Sequence, residues 1–171
     1  RQRLITNLIP QNELQETISE CNLPYQCQFS TFWIPSGHEM KFSGADIENC
    51  FFCFSLPDVW LPYMCLSKPV PGHVFGSSSD FLYASIRVVP MGWISSCALI
   101  QEIRRNSVAR TKIPSSLEIS SAFPLPKAAS WYSIYIDNFD SFEILKKGDS
   151  SSEFLCNEYR RICTLFNLPR N

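Results

Sequence analysis

The sequence has little net charge, few histidines and no long hydrophobic run. Its formal net charge is −1 over 171 residues, which excludes binding of nucleic acid through an overall positive charge. Any contact with a polynucleotide must come from a local patch. No apolar run reaches the ~18 residues of a membrane span and no signal peptide opens the chain, so we expect no membrane association.

Motifs that depend on glycine or histidine are also missing. The two histidines, His38 and His73, lie in turns that contain Gly or Pro. Neither has a cysteine or an acidic residue at ligand spacing, so both are predicted to be surface residues. No glycine-rich phosphate loop and no nucleophile elbow occurs in the chain.

Cysteine, in contrast, is frequent, but a disulfide scaffold is not expected. The chain contains eight cysteines, and 45% of its residues are hydrophobic, enough to form a core without covalent cross-links. We predict free, mostly buried thiols and an intracellular protein, either cytoplasmic or nuclear. Cys50 and Cys53 form the one close pair, and the lack of a second pair argues against a zinc site.

Hydrophobic periodicity predicts an α+β domain with an antiparallel sheet. Strands are predicted at Arg3–Ile9, 27–35, 39–47, 63–68 and 81–89. Helices are predicted at Asn12–Ser19, 93–108 and 151–166, with a tight helical turn at Glu48–Phe54. The helix over 93–108 has an apolar stripe of Cys97, Ile100, Ile103 and Val108. The stretch from Ala109 to Ser130, rich in Ser and Pro, is predicted to be a surface loop.

The segment "WYSIYIDNFDSFEIL" predicts a hairpin. Strands Tyr132–Ile136 and Phe139–Leu145 would be joined by Asp137 and Asn138, which both tolerate the positive φ of a two-residue turn. One interpretation is that these two residues only form the turn. Asp140, further along the second strand, is predicted to point away from the tip and into solvent.

A second aspartate, Asp46, is predicted at the end of a different strand. Two strand-end aspartates can meet at one edge of a sheet and hold divalent cations through oxygen ligands. Such a pair serves phosphoryl or nucleotidyl transfer, in which two ions ~3.5–4 Å apart contact the attacking and leaving oxygens. Sequence spacing alone does not show that Asp46 and Asp137 meet.

Three stretches together resemble motifs A, B and C of a reverse transcriptase palm. They are "SGADIENCFF", "VVPMGWISSCALIQ" and "YIDNFD", in that order and at suitable separations. "RLITNLIPQN" (Arg3–Asn12) resembles the fingers strand that precedes these motifs, and "EYRRICTLFNLPRN" resembles the helix that leads into motif D. The resemblance covers essentially the whole chain and is greatest to retroelement-derived polymerases of some protists.

The resemblance implies a reverse-transcriptase-type palm, an antiparallel sheet with helices on one face, plus partial fingers and no thumb. Residues 1–45 would be partial fingers, 46–57 and 90–171 the palm, and 58–89 an insertion on the fingers side. We expect the chain to be a piece of a longer polyprotein, in which a thumb and, optionally, an RNase H domain follow. Arg1 as the first residue and Met40 as the first methionine agree with this expectation.

The resemblance also implies catalytic residues and a cofactor. Asp46 matches the motif A aspartate, and Asp137 matches the first aspartate of motif C; both would bind two Mg²⁺ or Mn²⁺ ions. The carbonyl of Ile47 would contact the ion that travels with the nucleotide. Asn138 stands where the family has a second aspartate. Its amide oxygen can bind a cation but carries no charge, so metal affinity is expected to be lower.

Other matched residues would contact the nucleotide. Phe51 matches the aromatic residue that excludes a 2′-hydroxyl in the family, and Arg3 matches the fingers arginine that lies against the incoming nucleotide. Pro90, Met91 and Gly92 match the motif B turn, in which glycine lets the backbone approach a base or sugar.

Three functions are compatible with these observations. The first is an RNA-directed DNA polymerase fragment that adds a deoxynucleotide to a primer 3′ end on an RNA or DNA template. The second is a catalytically inactive relic that acts only in binding or structure. The third is a generic α+β interaction module in which Asp46 and Asp137 are unrelated turn residues. Arg104 and Arg105 could contact template phosphate, or they could only complement the helix dipole.

Overall fold

The computed structural model describes residues 7–170, which divide into two compact units. The first unit includes the chain up to Thr17 together with Phe51–Ser96, and the second includes Ile18–Cys50 and the chain from Cys97 onward. The described residues form a mixed α+β structure, as the periodicity predicts. None of their helices is both long enough and apolar enough to cross a membrane.

Residues 7–170 contain α-helices, β-strands and short 3₁₀ helices, which occur in both units. The α-helices are α1 (Ile9–Leu14), α2 (Gln26–Phe29), α3 (Ser96–Val108) and α4 (Phe154–Leu165). The strands are β1 (His38–Asp46), β2 (Val70–Pro71), β3 (Phe81–Leu82), β4 (Glu118–Ile119), β5 (Ser130–Tyr135) and β6 (Asn138–Lys146). Short 3₁₀ helices occur at Cys50–Cys53, Asp58–Met64, Gly72–Phe75 and Ser115–Leu117. The first of these is the helical turn predicted over Glu48–Phe54.

In the first unit, helix α1 begins earlier and ends earlier than the sequence pattern predicts. Pro10 occupies its first turn, where the fixed φ of proline favours a helix start. The strand predicted to reach Ile9 is therefore wrong at that residue, and its beginning, including Arg3, lies outside the described residues. The helix predicted to continue to Ser19 ends at Leu14.

The strand pair predicted over 63–68 and 81–89 in the first unit forms only in part: residues 63–68 contain no strand, and β3 pairs instead with β2, which follows them. Only β2 and β3 form a ladder, in which Val70 pairs with Leu82. Beyond them the two segments meet through a single bridge between Cys65 and Ser85. The chain before Cys65 forms a 3₁₀ helix that contains Pro62, and a proline cannot donate to a sheet ladder.

The second unit is built on a four-stranded sheet with the order β1-β6-β5-β4. Strands β1 and β6 pair antiparallel along their whole length, from His38 opposite Lys146 to Asp46 opposite Asn138. Strand β4 runs parallel to β5, so the sheet is mixed and the fully antiparallel sheet is a wrong prediction. Strand β4 lies within the stretch predicted to be a loop. The sequence pattern could not reveal it, because a strand of two residues is too short to produce a periodic signal.

The strand predicted over 27–35 is also wrong. Helix α2 forms there instead, and the Tyr25 backbone N–H donates to Gln28 Oε1 at 2.8 Å, which caps its start. The aromatic rings of this segment pack on the sheet: the ring centroids of Phe29 and Phe32 lie 5.7 and 6.0 Å from that of Phe142. Helical spacing of the two rings allows both to reach the same strand.

The main core of the second unit lies between the sheet and the two long helices α3 and α4. Phe139 of β6 is fully buried, and its ring stacks on Tyr159 of α4 at 4.1 Å between centroids. Tyr132 of β5 also stacks on Phe139, at 5.5 Å between ring centroids. The remaining buried members of this core are Ala45, Val108, Ile113, Ile134, Leu155, Ile162 and Cys163.

None of the cysteines in the described part of the chain forms a disulfide, as predicted. Cys50, Cys156 and Cys163 are buried, whereas Cys27 and Cys97 are exposed. The other three, Cys21, Cys53 and Cys65, are partly buried, so the prediction that most of the thiols are buried is wrong.

We expect Phe139→Ala to lower the free energy of unfolding by ~3–5 kcal/mol, because it removes a fully buried ring that stacks on two others. Phe42→Ala is the matched control: Phe42 lies on a strand of the same sheet but is 62% exposed, and its loss should cost less than ~1 kcal/mol. Urea denaturation of both variants measures the difference. Equal costs would show that the stacked rings are not the centre of the core.

Candidate metal centre at the hairpin tip

The end of strand β1 meets the tip of the β5–β6 hairpin. Asp46, the last residue of β1, lies opposite Asn138, the first residue of β6. One residue further, the Ile47 backbone N–H donates to the Asp137 carbonyl oxygen at 3.0 Å. The sheet therefore brings Asp46 and Asp137 together although they are far apart in the sequence.

The carboxylate of Asp46 is held in an unfavourable electrostatic environment. Burial raises its pKa, and the carboxylate of Asp137 raises it further. The positive charge of Arg104 and the Ile47 N–H act in the opposite direction. Asp46 Oδ1 is buried and has no hydrogen-bond partner among residues 7–170. A buried carboxylate oxygen without a donor beside a second carboxylate is an arrangement that a cation would stabilise.

The turn at the tip is shifted by one residue from the prediction. Tyr135 pairs with Asn138, so its central residues are Ile136 and Asp137 rather than Asp137 and Asn138. Ile136 has φ +54°, and Asp137 is not among the described residues with positive φ. A positive φ at the first central residue is the pattern of a type II′ turn, which favours glycine there. A β-branched residue in this conformation costs ~1–3 kcal/mol and persists only where its surroundings impose it.

Two buried polar side chains of helix α3 impose this conformation. Gln101 bridges the turn: its Nε2 donates to the Ile134 carbonyl at 2.8 Å, and its Oε1 accepts from the Ile136 N–H at 2.9 Å. Arg104 Nη1 donates to the Asp137 carbonyl at 3.0 Å. Both side chains are only 1% exposed. The strained tip is therefore held by three side-chain hydrogen bonds from α3, to backbone groups of Ile134, Ile136 and Asp137.

Sequence reasoning missed Gln101 and Arg104 because it assigned the buried side of α3 to apolar residues alone. Cys97, predicted to be on that side, is exposed, and Ile103 is only partly buried. A signal was present, since Gln101 and Arg104 are spaced i, i+3 and follow Ile100 on the stripe that faces the sheet.

Of the two interpretations left open for Arg104 and Arg105, contact with template phosphate is not favoured by the contacts that the two side chains make. Arg104 is buried, and Arg105 makes two hydrogen bonds to the buried carboxylate of Glu118, at 2.7 and 3.1 Å. Both guanidinium groups therefore make their contacts with other residues of the second unit.

Two further polar residues of β6 lie near the tip. Asn138 is exposed, and its Nδ2 donates to Asp137 Oδ1 at 3.3 Å. Asp140 does not point into solvent as predicted: it is half-buried, and burial raises its pKa. Residues two apart on a strand share a face, so Asp140 lies on the same side as Asn138. It lies opposite Gly44, where an added Cβ would come within 3.1 Å of Asp140 Oδ1.

The remaining predicted site residues are divided between the two units, except for Arg3. Ile47 is buried in the second unit and forms a bridge with Arg170. Phe51, Pro90, Met91 and Gly92 belong to the first unit. Arg3 lies outside the described residues.

The turn that contains Gly92 is held by a side chain of helix α1. Gly92 has φ +96°, which favours glycine. Asn12 Nδ2 donates to the Gly92 carbonyl at 2.9 Å, and Asn12 Oδ1 accepts from the Ile94 N–H at 3.0 Å. Gln15 Oε1 accepts from Trp93 Nε1 at 2.6 Å, which fixes the next residue. This turn is therefore rigid within its own unit.

The donor set at the hairpin tip fits a hard divalent cation. Asp46 and Asp137 offer carboxylate oxygens, and Asn138 offers an amide oxygen. Residues 7–170 contain no group of three or more His, Cys, Asp or Glu side chains arranged for a metal ion. Two carboxylates with one amide thus carry less negative charge than a three-carboxylate site, and cation affinity depends on that charge.

Comparison of the chain with models of known protein families found no matching family, and comparison with curated proteins found no matching relative. The interpretation of the site therefore depends on its own geometry and on the order of the motifs.

We expect Asp46→Asn to raise the melting temperature by a few degrees at pH 7. The pKa of Asp46 is raised in the folded state by burial and by Asp137, so its ionised form costs stability. This cost develops as the pH rises from the unfolded-state pKa of ~3.9 through the raised folded-state pKa, and it is complete at neutral pH. Thermal unfolding at pH 7 and below pH ~4 should show a gain that disappears at the acidic pH.

Asp149→Asn is the control, because Asp149 lies in an exposed turn and its substitution should leave the melting temperature unchanged at both pH values. Asp137→Asn relieves the same repulsion, so the double variant with Asp46→Asn should gain less than the sum of the two. A melting temperature of Asp46→Asn at or below that of the wild type at pH 7 would contradict the assignment of a repulsive pair.

Proposed function

We propose that the chain is a fingers and palm fragment of a reverse-transcriptase-like nucleotidyltransferase, which transfers a deoxynucleotide to a primer 3′ end. The observation that carries the proposal is the meeting of Asp46 and Asp137 at one end of the sheet, each within a stretch that resembles a catalytic motif. A generic interaction module has no reason to place two carboxylates in mutual repulsion.

The architecture of the second unit supports the proposal. A hairpin presents Asp137 at its tip, β1 presents Asp46 beside it, and α3 and α4 pack on one side of the sheet. By strand alternation Asp46 and Asn138 lie on the opposite side from Ala45 and Phe139, which face those helices.

Within this proposal, Asp46, Asp137 and the Asn138 amide hold two Mg²⁺ or Mn²⁺ ions, with the Ile47 carbonyl as a further oxygen ligand. When bound, such ions make the primer 3′-hydroxyl more acidic and offset the charge of the triphosphate. The protein contributes a fixed arrangement of charge, because the strained tip cannot move without breaking the bonds made by Gln101 and Arg104.

The remaining roles follow the resemblance. Arg3, Phe51 and the turn Pro90-Met91-Gly92 would contact the incoming nucleotide, and the rigid turn at Gly92 is suited to a close backbone approach. The partners are an RNA or DNA template with its primer, dNTP, and the remainder of a polyprotein that carries the thumb. Thiols without disulfides agree with an intracellular location.

A second candidate function is a catalytically inactive domain that retains binding. The observation that favours it is the hydrogen bond from Asn138 Nδ2 to Asp137 Oδ1, because this amide donates to an oxygen that would otherwise bind a cation. An amide in this place also removes one negative charge from the site. The two candidates differ in whether the chain binds divalent cations at all.

Manganese binding tests the proposed function directly. Titration of the full chain with Mn²⁺, followed by electron paramagnetic resonance, should show specific binding that Asp46→Ala and Asp137→Ala each reduce at least tenfold. His38→Ala should bind as the wild type does, because His38 lies at the opposite end of β1. Mn²⁺-dependent extension of a primer on an RNA template then separates an active enzyme from an inactive one.

If the wild type binds no Mn²⁺, or if the two aspartate variants behave like His38→Ala, the polymerase proposal fails. Specific binding without primer extension would support the inactive candidate.

We also expect Asn138→Asp to bind Mn²⁺ ~10-fold more tightly than the wild type. The change adds a negative charge and removes the amide donor from Asp137. Asn157→Asp, which adds the same charge on the surface of α4, should change the affinity less than twofold. Unchanged or weaker binding by Asn138→Asp would mean that this position does not face the ions.

A further inference from the structure

Arg104 is a charged side chain inside the second unit, and none of its hydrogen bonds within residues 7–170 is to a carboxylate. It is 1% exposed and is the largest fully buried side chain among the described residues. Its Nη1 donates to the Asp137 carbonyl at 3.0 Å and lies 3.8 Å from Cys50 Sγ, while its Nη2 donates to the Tyr159 hydroxyl. Arg104 takes part in none of the ion pairs among residues 7–170.

Among residues 7–170, Asp46 of the candidate site is the carboxylate on which the charge of Arg104 acts. Burial raises the pKa of Tyr159, so its hydroxyl is neutral and cannot balance a guanidinium. Arg104 lies within electrostatic range of Asp46 and lowers the pKa of that carboxylate. A buried arginine that lacks a bonded carboxylate is costly to the stability of the fold.

The adjacent Arg105 shows what a purely structural arginine of this helix does. It makes a two-pronged ion pair with Glu118, which ties α3 to strand β4. Arg104 makes no such pair within residues 7–170. Besides Tyr159 and Cys50, it contacts a backbone carbonyl at the strained tip. The same carbonyl accepts the Ile47 N–H, so one oxygen joins α3, the hairpin and the end of β1.

We infer that Arg104 is a positioning residue for the divalent-cation site: it holds the Asp137 carbonyl and thereby sets the direction in which the Asp137 carboxylate points. The identity of the bound species rests on the proposed function, whereas the constraint on the tip does not. A residue that acts on a ligand through its backbone in this way changes cation affinity when it is replaced.

Mn²⁺ affinity of the full chain is the first readout. Loss of a positive charge would by itself strengthen the binding of a cation, so weaker binding by a folded Arg104→Met variant is not an effect of the lost charge. We expect Arg104→Met to weaken Mn²⁺ binding ~10–100-fold, and Arg104→Lys, which keeps the charge and one donor, to weaken it ~3–10-fold. Arg105→Met should lower thermal stability but change Mn²⁺ affinity less than twofold.

Amide hydrogen exchange is the second readout, and it needs no metal. The Ile47 N–H shares its acceptor with Arg104, and the Ile136 N–H lies in the constrained turn. Exchange at both amides should be at least tenfold faster in Arg104→Met and in Arg104→Lys than in the wild type, and unchanged in Arg105→Met. Arg104→Lys keeps the comparison decisive if Arg104→Met does not fold.

The two readouts separate the two possible failures. Unchanged exchange at Ile47 and Ile136, or Mn²⁺ binding that is equal or tighter in both Arg104 variants, overturns the positioning role. Faster exchange in the Arg104 variants together with no Mn²⁺ binding by the wild type leaves the constraint in place and rejects the proposed function.

Discussion

The carbonyl oxygen of Asp137 is the acceptor on which the candidate site depends. It receives the Ile47 N–H from the end of β1 and a guanidinium N–H from α3, both at 3.0 Å. These bonds connect a strand end, a hairpin tip and a helix that come from distant parts of the chain. Without them the strained φ of Ile136 would relax, because nothing in an isoleucine side chain favours a left-handed turn.

The site combines several features that cost stability. Within the described part of the chain, Asp46 has a buried oxygen without a donor and a repelling neighbour, and Arg104 is a buried charge without a bonded carboxylate. Ile136 is strained. A fold that served only its own stability would replace each of these with an apolar residue or a paired one. Their occurrence within one small region is the physical argument for a function, because local rules are broken mainly at functional sites.

The core of the second unit offsets these costs. Phe139 lies next to Asn138 in the sequence, and its ring stacks on those of Tyr132 and Tyr159. Strand β6 therefore packs into the core through Phe139 and carries the polar residue Asn138 at its start. Arg104 contributes to both, because its guanidinium also lies 5.3 Å from the centre of the Tyr159 ring. Strand β6 and Arg104 thus contribute both to the packing of the core and to the geometry of the candidate site.

The hydrophobic pattern of the sequence determined those helices and strands whose periodicity is complete within one segment. The β1 strand, the hairpin, α3 and α4 follow from alternation and helical spacing, and the two aspartates stand out as strand-end carboxylates. Only the tertiary structure decided that Asp46 and Asp137 meet, that the turn centres on Ile136 and that Arg104 faces inward. These depend on strand register and on hydrogen bonds between distant segments, and neither the spacing nor the propensity of a single segment encodes a partner elsewhere in the chain.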